Sequence, residues 1–327
     1  MSLESDLIVD RRRMRRKLTF WRVAAVFIAV VAVVGGAVFA TGGRTVLPGG
    51  VDGAIARVTI EGLIRANRQR TEALDRLAKS NAKAVIVHVN SPGGTVTGSE
   101  ELYDSLARVK ASKPMVVVVD GLAASGGYIA ALAADRIVAQ DTALVGSIGV
   151  IFQYPNVSEL LKTVGVKVEV VRSTPLKAAP SGYEPTSPEA LDAVKAIVLD
   201  SYAWFRGLVS TRRHLDPAQL EKVADGRVFT GRQAVGLKLI DSLGDERTAL
   251  AWLAQAKNVD PKTPIRDYQL NPRLTDFPFL HVAVVGLLDA VGLKALAERF
   301  REWGAIQAIE RLNLDGLLAL WHPPSTN

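Results

Sequence analysis

No cysteine occurs anywhere in the 327 residues, so structural disulfides, thiolate catalysis and cysteine-ligated metals are excluded together. Histidine is scarce as well, with four copies, and none lies in a loop beside a partner acid as a general base would. Aromatic residues reach only 6%. No basic stripe interleaved with aromatics runs along the chain, which leaves nucleic-acid binding without its usual footprint. There is no internal repeat and no low-complexity segment. What is present is a globular balance, 48% hydrophobic and 22% charged, in a chain long enough for one large domain or two ordinary ones.

The formal charge of +7 is unevenly spread. Much of the excess sits in Arg11-Arg12-Arg13-Met14-Arg15-Arg16-Lys17, directly before an apolar run. Residues 23–40 carry no charge; with residues 18–21 and a snorkelling Arg22 the run reaches the ~20 residues needed to cross a bilayer. The positive-inside rule then makes residues 1–17 a cytoplasmic tail, residues 18–41 a signal-anchor helix, and everything beyond extracytoplasmic. A cleaved signal peptide ending at Val38-Phe39-Ala40 is the alternative, although the apolar run exceeds the usual h-region of about 7–15 residues. Either reading puts the main body outside the cytoplasm.

Glycine and proline mark residues 42–52 as a linker. Residues 53–258 then read as one α/β domain. Strands are expected at 55–60, 84–89, 115–119, 136–139, 143–152 and 166–171. Helices are expected up to 79, over 99–109, through 134, and over 187–213, where Ser187-Pro188-Glu189 is a helix start. Continuous β-rich runs separated by helices indicate crossover units and a largely parallel sheet. Residues 259–327 read as loops followed by amphipathic helices over 281–321, serving assembly, facing the membrane, or simply packing as a tail.

Two corners could carry chemistry. Asn90-Ser91-Pro92-Gly93-Gly94 follows one strand, and its glycines permit positive φ and close approach of backbone amides to a ligand. Gly121-Leu122-Ala123-Ala124-Ser125-Gly126-Gly127-Tyr128 follows the next strand and sets a serine among very small residues where a helix begins. That geometry exposes an Oγ while the following amides point at a bound oxygen, as in a nucleophile elbow. Both corners would converge at the carboxyl edge of a parallel sheet.

A serine needs a base, and no histidine is well disposed: His88 lies in an apolar strand and reads as a satisfied core residue. Lysine can act instead when desolvated. Lowering a lysine from ~10.4 to about 7 takes roughly 4–5 kcal/mol of penalty on the charged form, within what burial imposes. Lys177 lies in the polarity-poor loop Pro175-Leu176-Lys177-Ala178-Ala179-Pro180. By composition alone, a surface lysine in a proline-bounded loop fits this loop better than a base does.

Taken in order, Asn90-Ser91-Pro92-Gly93-Gly94, Ala124-Ser125-Gly126-Gly127-Tyr128, Gly146-Ser147-Ile148-Gly149-Val150 and Lys177 resemble the signal peptide peptidase A family. Asp225-Gly226-Arg227-Val228-Phe229-Thr230-Gly231 and Ala234-Val235-Gly236-Leu237 extend the likeness, which covers roughly residues 55–256. The resemblance implies a ClpP/crotonase-like fold and a Ser/Lys dyad without metal or organic cofactor. By position it makes Ser125 the nucleophile, Lys177 the general base, Ser147 the residue that orients the lysine, and the amides of Gly94 and Gly126 the oxyanion hole. It implies a membrane-anchored serine endopeptidase that degrades cleaved signal peptides at the bacterial cytoplasmic membrane, with its catalytic domain on the extracytoplasmic side. With one copy of the domain carrying both dyad residues, the chain is similar to the short form, which implies a homo-oligomer, an octameric bowl, in which the lysine can come from a neighbouring subunit. A non-catalytic membrane scaffold of the same fold and a crotonase-type acyl-CoA enzyme are the competing readings. Export from the CoA pool argues against the second, and intact Ser125 and Lys177 argue against the first.

Overall fold

The computed structural model describes residue 21, residues 50–270 and, as backbone, Leu317–Leu320. The basic tail, the anchor over 18–41 (Trp21 aside), most of the linker and nearly all of 271–327 lie outside the described residues. All described residues but Trp21 belong to one compact unit, 49–271 together with 314–327. Among the described residues, no helix is long and apolar enough to cross a membrane.

The strands are β1 (Ile55–Ile64), β2 (Ala84–Thr95), β3 (Met115–Ala124), β4 (Arg136–Ala139), β5 (Leu144–Gly146), β6 (Ile151–Phe152), β7 (Val228–Thr230), β8 (Ser242–Leu243), β9 (Ile265–Asp267) and β10 (Leu317–Leu320). The helices are α1 (Arg68–Lys79), α2 (Val96–Ser112), α3 (Gly126–Ala131), α4 (Ser158–Thr163), α5 (Pro188–Arg213), α6 (Pro217–Val223), α7 (Gly231–Gly236) and α8 (Glu246–Lys257). In the order β9-β1-β2-β3-β4-β8 every neighbouring pair is parallel. Beyond β4, β3 continues against β5, also parallel, and β7 and β10 add antiparallel pairings. This is the largely parallel α/β architecture expected from alternating strands and helices, and it fits the ClpP-like fold that the resemblance implies.

Period-two alternation divides the central strands between two cores. Val85, Val87, Val89, Val117 and Val119 join the larger cluster, with Leu74 and Leu77 of α1, Leu102 and Leu106 of α2, and Phe205 and Val209 of α5. Ala84, Ile86, Val116 and Val118 face the other way, onto Ala249 and Leu253 of α8. Each buried valine or leucine contributes roughly 1.5–3 kcal/mol relative to exposure, which is why these strands read as unbroken apolar runs. Polar groups set the helix ends. Asn67, Thr95, Ser187 and Asp245 each accept a hydrogen bond from a first-turn amide, and Pro188 sits where a missing N–H costs nothing.

Several sequence expectations are corrected. The 90–94 segment is not a turn that ends its strand; it continues β2 to Thr95, still paired with β1 through Ile64. The strand expected over 143–152 breaks into β5 and β6, because Gly146 and Ser147 both take positive φ. Residues 166–171 form no strand, and Val166, Val168, Val170 and Val171 are exposed. Alternation without a sheet edge to pair with does not make a strand. Helix was expected over 281–321, yet Leu317–Leu320 is a strand, held on both sides by backbone partners in β2 and β6. The folded unit also runs past 258: β9 pairs with β1, and the Tyr268 hydroxyl donates to Ala73 O at 2.8 Å.

On the α8 face the apolar pattern gives way to an ionic cluster. His88 Nδ1 lies 2.9 Å from Asp120 Oδ1 and Nε2 lies 2.6 Å from Glu246 Oε2. Arg57 donates to Glu246 at 2.7 and 2.6 Å and to Asp267 at 2.9 Å. His88 is therefore satisfied, as expected, but by two carboxylates rather than by apolar packing. The Arg57 guanidinium, helped by His88 and opposed by burial, holds the Glu246 carboxyl below its ordinary range. A carboxyl lowered by folding stabilises the protein above its unfolded value of ~4.3, and that contribution disappears as pH falls through the lowered value. Glu246→Gln should therefore cost roughly 1–3 kcal/mol at neutral pH. It should cost progressively less as pH falls below the unfolded value of ~4.3, and least once pH has passed the lowered value and the wild-type carboxyl is protonated too. Urea denaturation of both proteins across that range checks it; a cost that stays constant into acid contradicts the assignment.

Candidate active site

Three parallel strands deliver the predicted residues to one edge of the sheet. Ser91 of β2 is opposite Ala123 of β3, and Ala124 of β3 is opposite Gly146 of β5. The chain then turns at Ser125, with φ 54° and ψ −115°, a conformation that costs a non-glycine residue roughly 1–3 kcal/mol. Hydrogen bonds hold the corner in place. Ser125 N–H donates to Gly146 O at 2.8 Å, and Ser125 O accepts from Tyr128 and Ile129 N–H at 2.9 and 3.0 Å, opening α3.

The Ser125 side chain does not cap that helix. The residue is 1% exposed, and its Oγ finds no hydrogen-bond partner among the described residues. A buried hydroxyl left unpaired costs about 1–3 kcal/mol, so it persists only where something else requires it. Small residues make the corner possible. An ideal Cβ on Gly127 would lie 2.6 Å from Ser91 O, and one on Gly94 would lie 1.7 Å from Ile64 O. These are contacts with backbone, which cannot swing aside as a flexible side chain can. Gly126 and Gly127 are buried in the first turn of α3, where amide N–H groups are left without intrahelical partners.

Ser147 lies beside this corner at the end of β5, at φ 52° and 7% exposed. Its N–H donates to Arg227 O at 2.8 Å, and the Asp225 carboxylate accepts from Arg227 Nε at 2.6 Å. The Arg227 guanidinium holds the Asp225 carboxyl below its ordinary range. Gly94, Ser125, Gly126 and Ser147 are thus at the ends of three adjacent strands. Lys177 is not bonded to any of them among the described residues of the single chain. It is exposed, its N–H closes a turn onto Thr174 O at 3.1 Å, and it makes no hydrogen bond to the unpartnered Ser125 Oγ. Its loop is tied by Glu184, which accepts from Arg172 and from Ser181 Oγ. Among the described residues of one chain, nothing buries the Lys177 side chain as a lysine base needs.

Sequence reasoning missed several residues. Ser91 Oγ donates to Gly62 O at 2.6 Å and accepts from Gly93 N–H at 3.1 Å, fixing the glycine strand from beneath. The buried Tyr128 hydroxyl donates to Leu239 O at 2.7 Å, and burial raises its pKa so that it stays protonated. Arg227 contributes through its backbone carbonyl. Ser91, Tyr128 and Arg227 were visible inside quoted motifs, but their partners lie tens of residues away and had no signal.

A strained, buried serine ringed by glycines at the edge of a largely parallel α/β sheet has the form of a serine-hydrolase nucleophile corner. Comparison with known proteins agrees. Residues 107–260 match the model of peptidase family S49, and residues 65–144 match that of Clp protease. A Synechocystis sp. protein named "Putative protease slr0021" is 35% identical over 209 residues, covering 63% of this chain and 76% of the relative. Protease 4 of Salmonella typhi is 37% identical over 206 residues, 63% of this chain and 32% of that protein. The chloroplastic serine protease SPPA of Arabidopsis thaliana is 28% identical over 239 residues, 72% of this chain and 35% of that protein. The chain belongs to peptidase family S49, the signal peptide peptidase A family.

The glycine requirement is testable without an assay. Gly94→Ala should destabilise the fold by about 3 kcal/mol or more, since overpacking against backbone costs at least the ~1–3 kcal/mol of ordinary core overpacking. Gly236→Ala, where a Cβ meets nothing within 4 Å, should be neutral or stabilising by about 0.5–1 kcal/mol. Chemical denaturation of the two variants reads the difference; equal effects would mean the strand contact at Gly94 is looser than described.

Proposed function

We propose that this chain is a membrane-anchored endopeptidase in which Ser125 attacks the scissile carbonyl and neutral Lys177 takes its proton. The amides of Gly94 and Gly126 stabilise the tetrahedral oxyanion, a contribution of roughly 3–4 kcal/mol per donor where such donors have been removed. Lysine then returns the proton to the leaving amine, and water releases the acyl-enzyme. Ser147 orients the lysine amine from the neighbouring strand end. The observation that carries this reading is the buried, unpartnered Ser125 Oγ in a left-handed corner. A hydroxyl held in a strained corner and committed to no partner among the described residues of its own chain is free to give its proton to a base.

The base is supplied by a second copy of the chain. Lys177 is exposed in a segment that also exposes Leu160, Val164, Val166, Val171 and Leu176. An apolar surface of this kind favours burial against another subunit, and such burial would strip water from the lysine. The substrates are signal peptides left in the membrane after preprotein cleavage. The apolar segment 18–41 would hold the enzyme beside them, with residues 1–17 cytoplasmic and the protease domain on the other side.

Ser125→Ala and Lys177→Ala should each lower peptide turnover by at least about 10³-fold, since members of a nucleophile–base pair act as a unit. Mixing the two inactive chains should restore activity, because one copy then offers an intact serine and its neighbour an intact lysine. Near-normal turnover by Lys177→Ala removes the dyad. Inactive mixtures that still assemble confine the base to its own chain.

A further inference from the structure

The helix α3 opens at Ser125 and is built of small side chains: Gly126, Gly127, Ala130 and Ala131 surround only Tyr128 and Ile129. Such a helix offers packing little to grip, so its placement depends on how its ends are held. The far end is held by one residue 80 positions further along the chain. Arg212, near the end of α5, donates from Nε to Leu132 O at 2.7 Å. One of its terminal nitrogens donates to Ala134 O at 2.9 Å and to Ala133 O at 3.3 Å. The three acceptors belong to buried residues, and they are carbonyls of the kind a helix end leaves without intrahelical donors. The rigid fork of a guanidinium suits such a cluster.

An unbroken series of hydrogen-bonded peptide groups leads from that grip back to the corner. Ala133 O accepts from Arg212, and the N–H of the same peptide group, that of Ala134, donates to Ala131 O at 3.2 Å. The next group donates through Leu132 N–H to Tyr128 O at 3.0 Å, and the one after through Ile129 N–H to Ser125 O at 3.0 Å. Ser125 O and Gly126 N–H are the two ends of a single peptide group. A peptide group whose carbonyl accepts a hydrogen bond donates more strongly through its own N–H, so each link reinforces the next. We propose that Arg212 is a positioning residue for the reaction: it sets the placement and the donor strength of the Gly126 N–H through the backbone of α3. The proposal rests on reading the Ser125 corner as the protease site, with that amide in the oxyanion hole. Arg212 makes no bond to Ser125 Oγ and acts only through the helix.

Arg212→Ala in the full chain should lower kcat for a short apolar peptide by roughly 10- to 100-fold with KM nearly unchanged, short of the ~10²–10³-fold that removing a whole oxyanion donor costs. A peptide aldehyde, whose adduct with Ser125 carries the oxyanion, should lose affinity by a similar factor. The matching peptide alcohol, which forms no adduct, should bind as before. Millimolar guanidinium ion should restore part of the lost kcat, whereas a variant that is merely less stable gains nothing from a denaturant. Arg212→Lys keeps the charge without the fork and should fall in between, which keeps the test open if the alanine variant does not fold. Wild-type kcat in the variants overturns the proposal. So does a loss that guanidinium does not restore and aldehyde affinity does not share. If even the wild type hydrolyses no peptide, hydrogen exchange at Tyr128, Ile129, Leu132 and Ala134 decides. Faster exchange there in the variants, with Val85–Val89 still protected, means that Arg212 positions the corner and the protease reading fails; unchanged exchange overturns both.

Discussion

Backbone packed directly on backbone is the constraint on which this structure depends. Where Ile64 of β1 crosses Gly94 of β2, and where Ser91 of β2 meets Gly127 of α3, the main chains approach so closely that a single methyl group has no room. Those contacts draw β1, β2, β3 and α3 together at one end of the sheet. The register Ser91–Ala123 and Ala124–Gly146 then ends three strands side by side. A chain leaving β3 at that point has little choice but the turn at Ser125, whose N–H is held by Gly146 O. Glycine here acts by removing bulk as much as by permitting unusual dihedral angles.

The two faces of the sheet divide the work of stability. One is a broad apolar core against α1, α2, α3 and α5, which keeps the strands that end at the Ser125 corner rigid. The other is a smaller apolar patch against α8, completed by Arg57, His88, Asp120, Glu246 and Asp267. Asp120 closes the apolar run of β3 five residues before Ser125. The ion pairs therefore fasten the strand that carries the corner without entering it. Beyond Ile151 the character changes: α4 and the loops up to α5 bury little and expose many aliphatic side chains. Lys177 belongs to this outlying part, which explains why a single chain gathers the corner but leaves the lysine in water.

Period-two apolar runs such as 84–89 and 115–119 were readable because a strand buried on both faces needs little beyond its own side chains. The same reasoning failed at 166–171, where the alternation is equally plain but the segment pairs with no strand among the described residues. It failed in the opposite sense at Leu317–Leu320, whose composition suits a helix and whose strand state comes entirely from the two edges beside it. His88 was legible as satisfied, but not by what. Its acids, Asp120 and Glu246, stand 32 and 158 positions away along the chain.

By itself, the sequence determined the order of strands and helices, the glycine corners and the family, because these follow from local composition and from motifs a few residues long. Only tertiary structure decided that the 90–94 corner is a continuing strand. It alone decided that Ser91 and Arg227 O hold the glycine strand and Ser147, and that Ser125 Oγ is buried without a partner while Lys177 is exposed. Those outcomes depend on which distant backbone atoms arrive alongside, and pairing across tens or hundreds of residues leaves no trace in the neighbours along the chain.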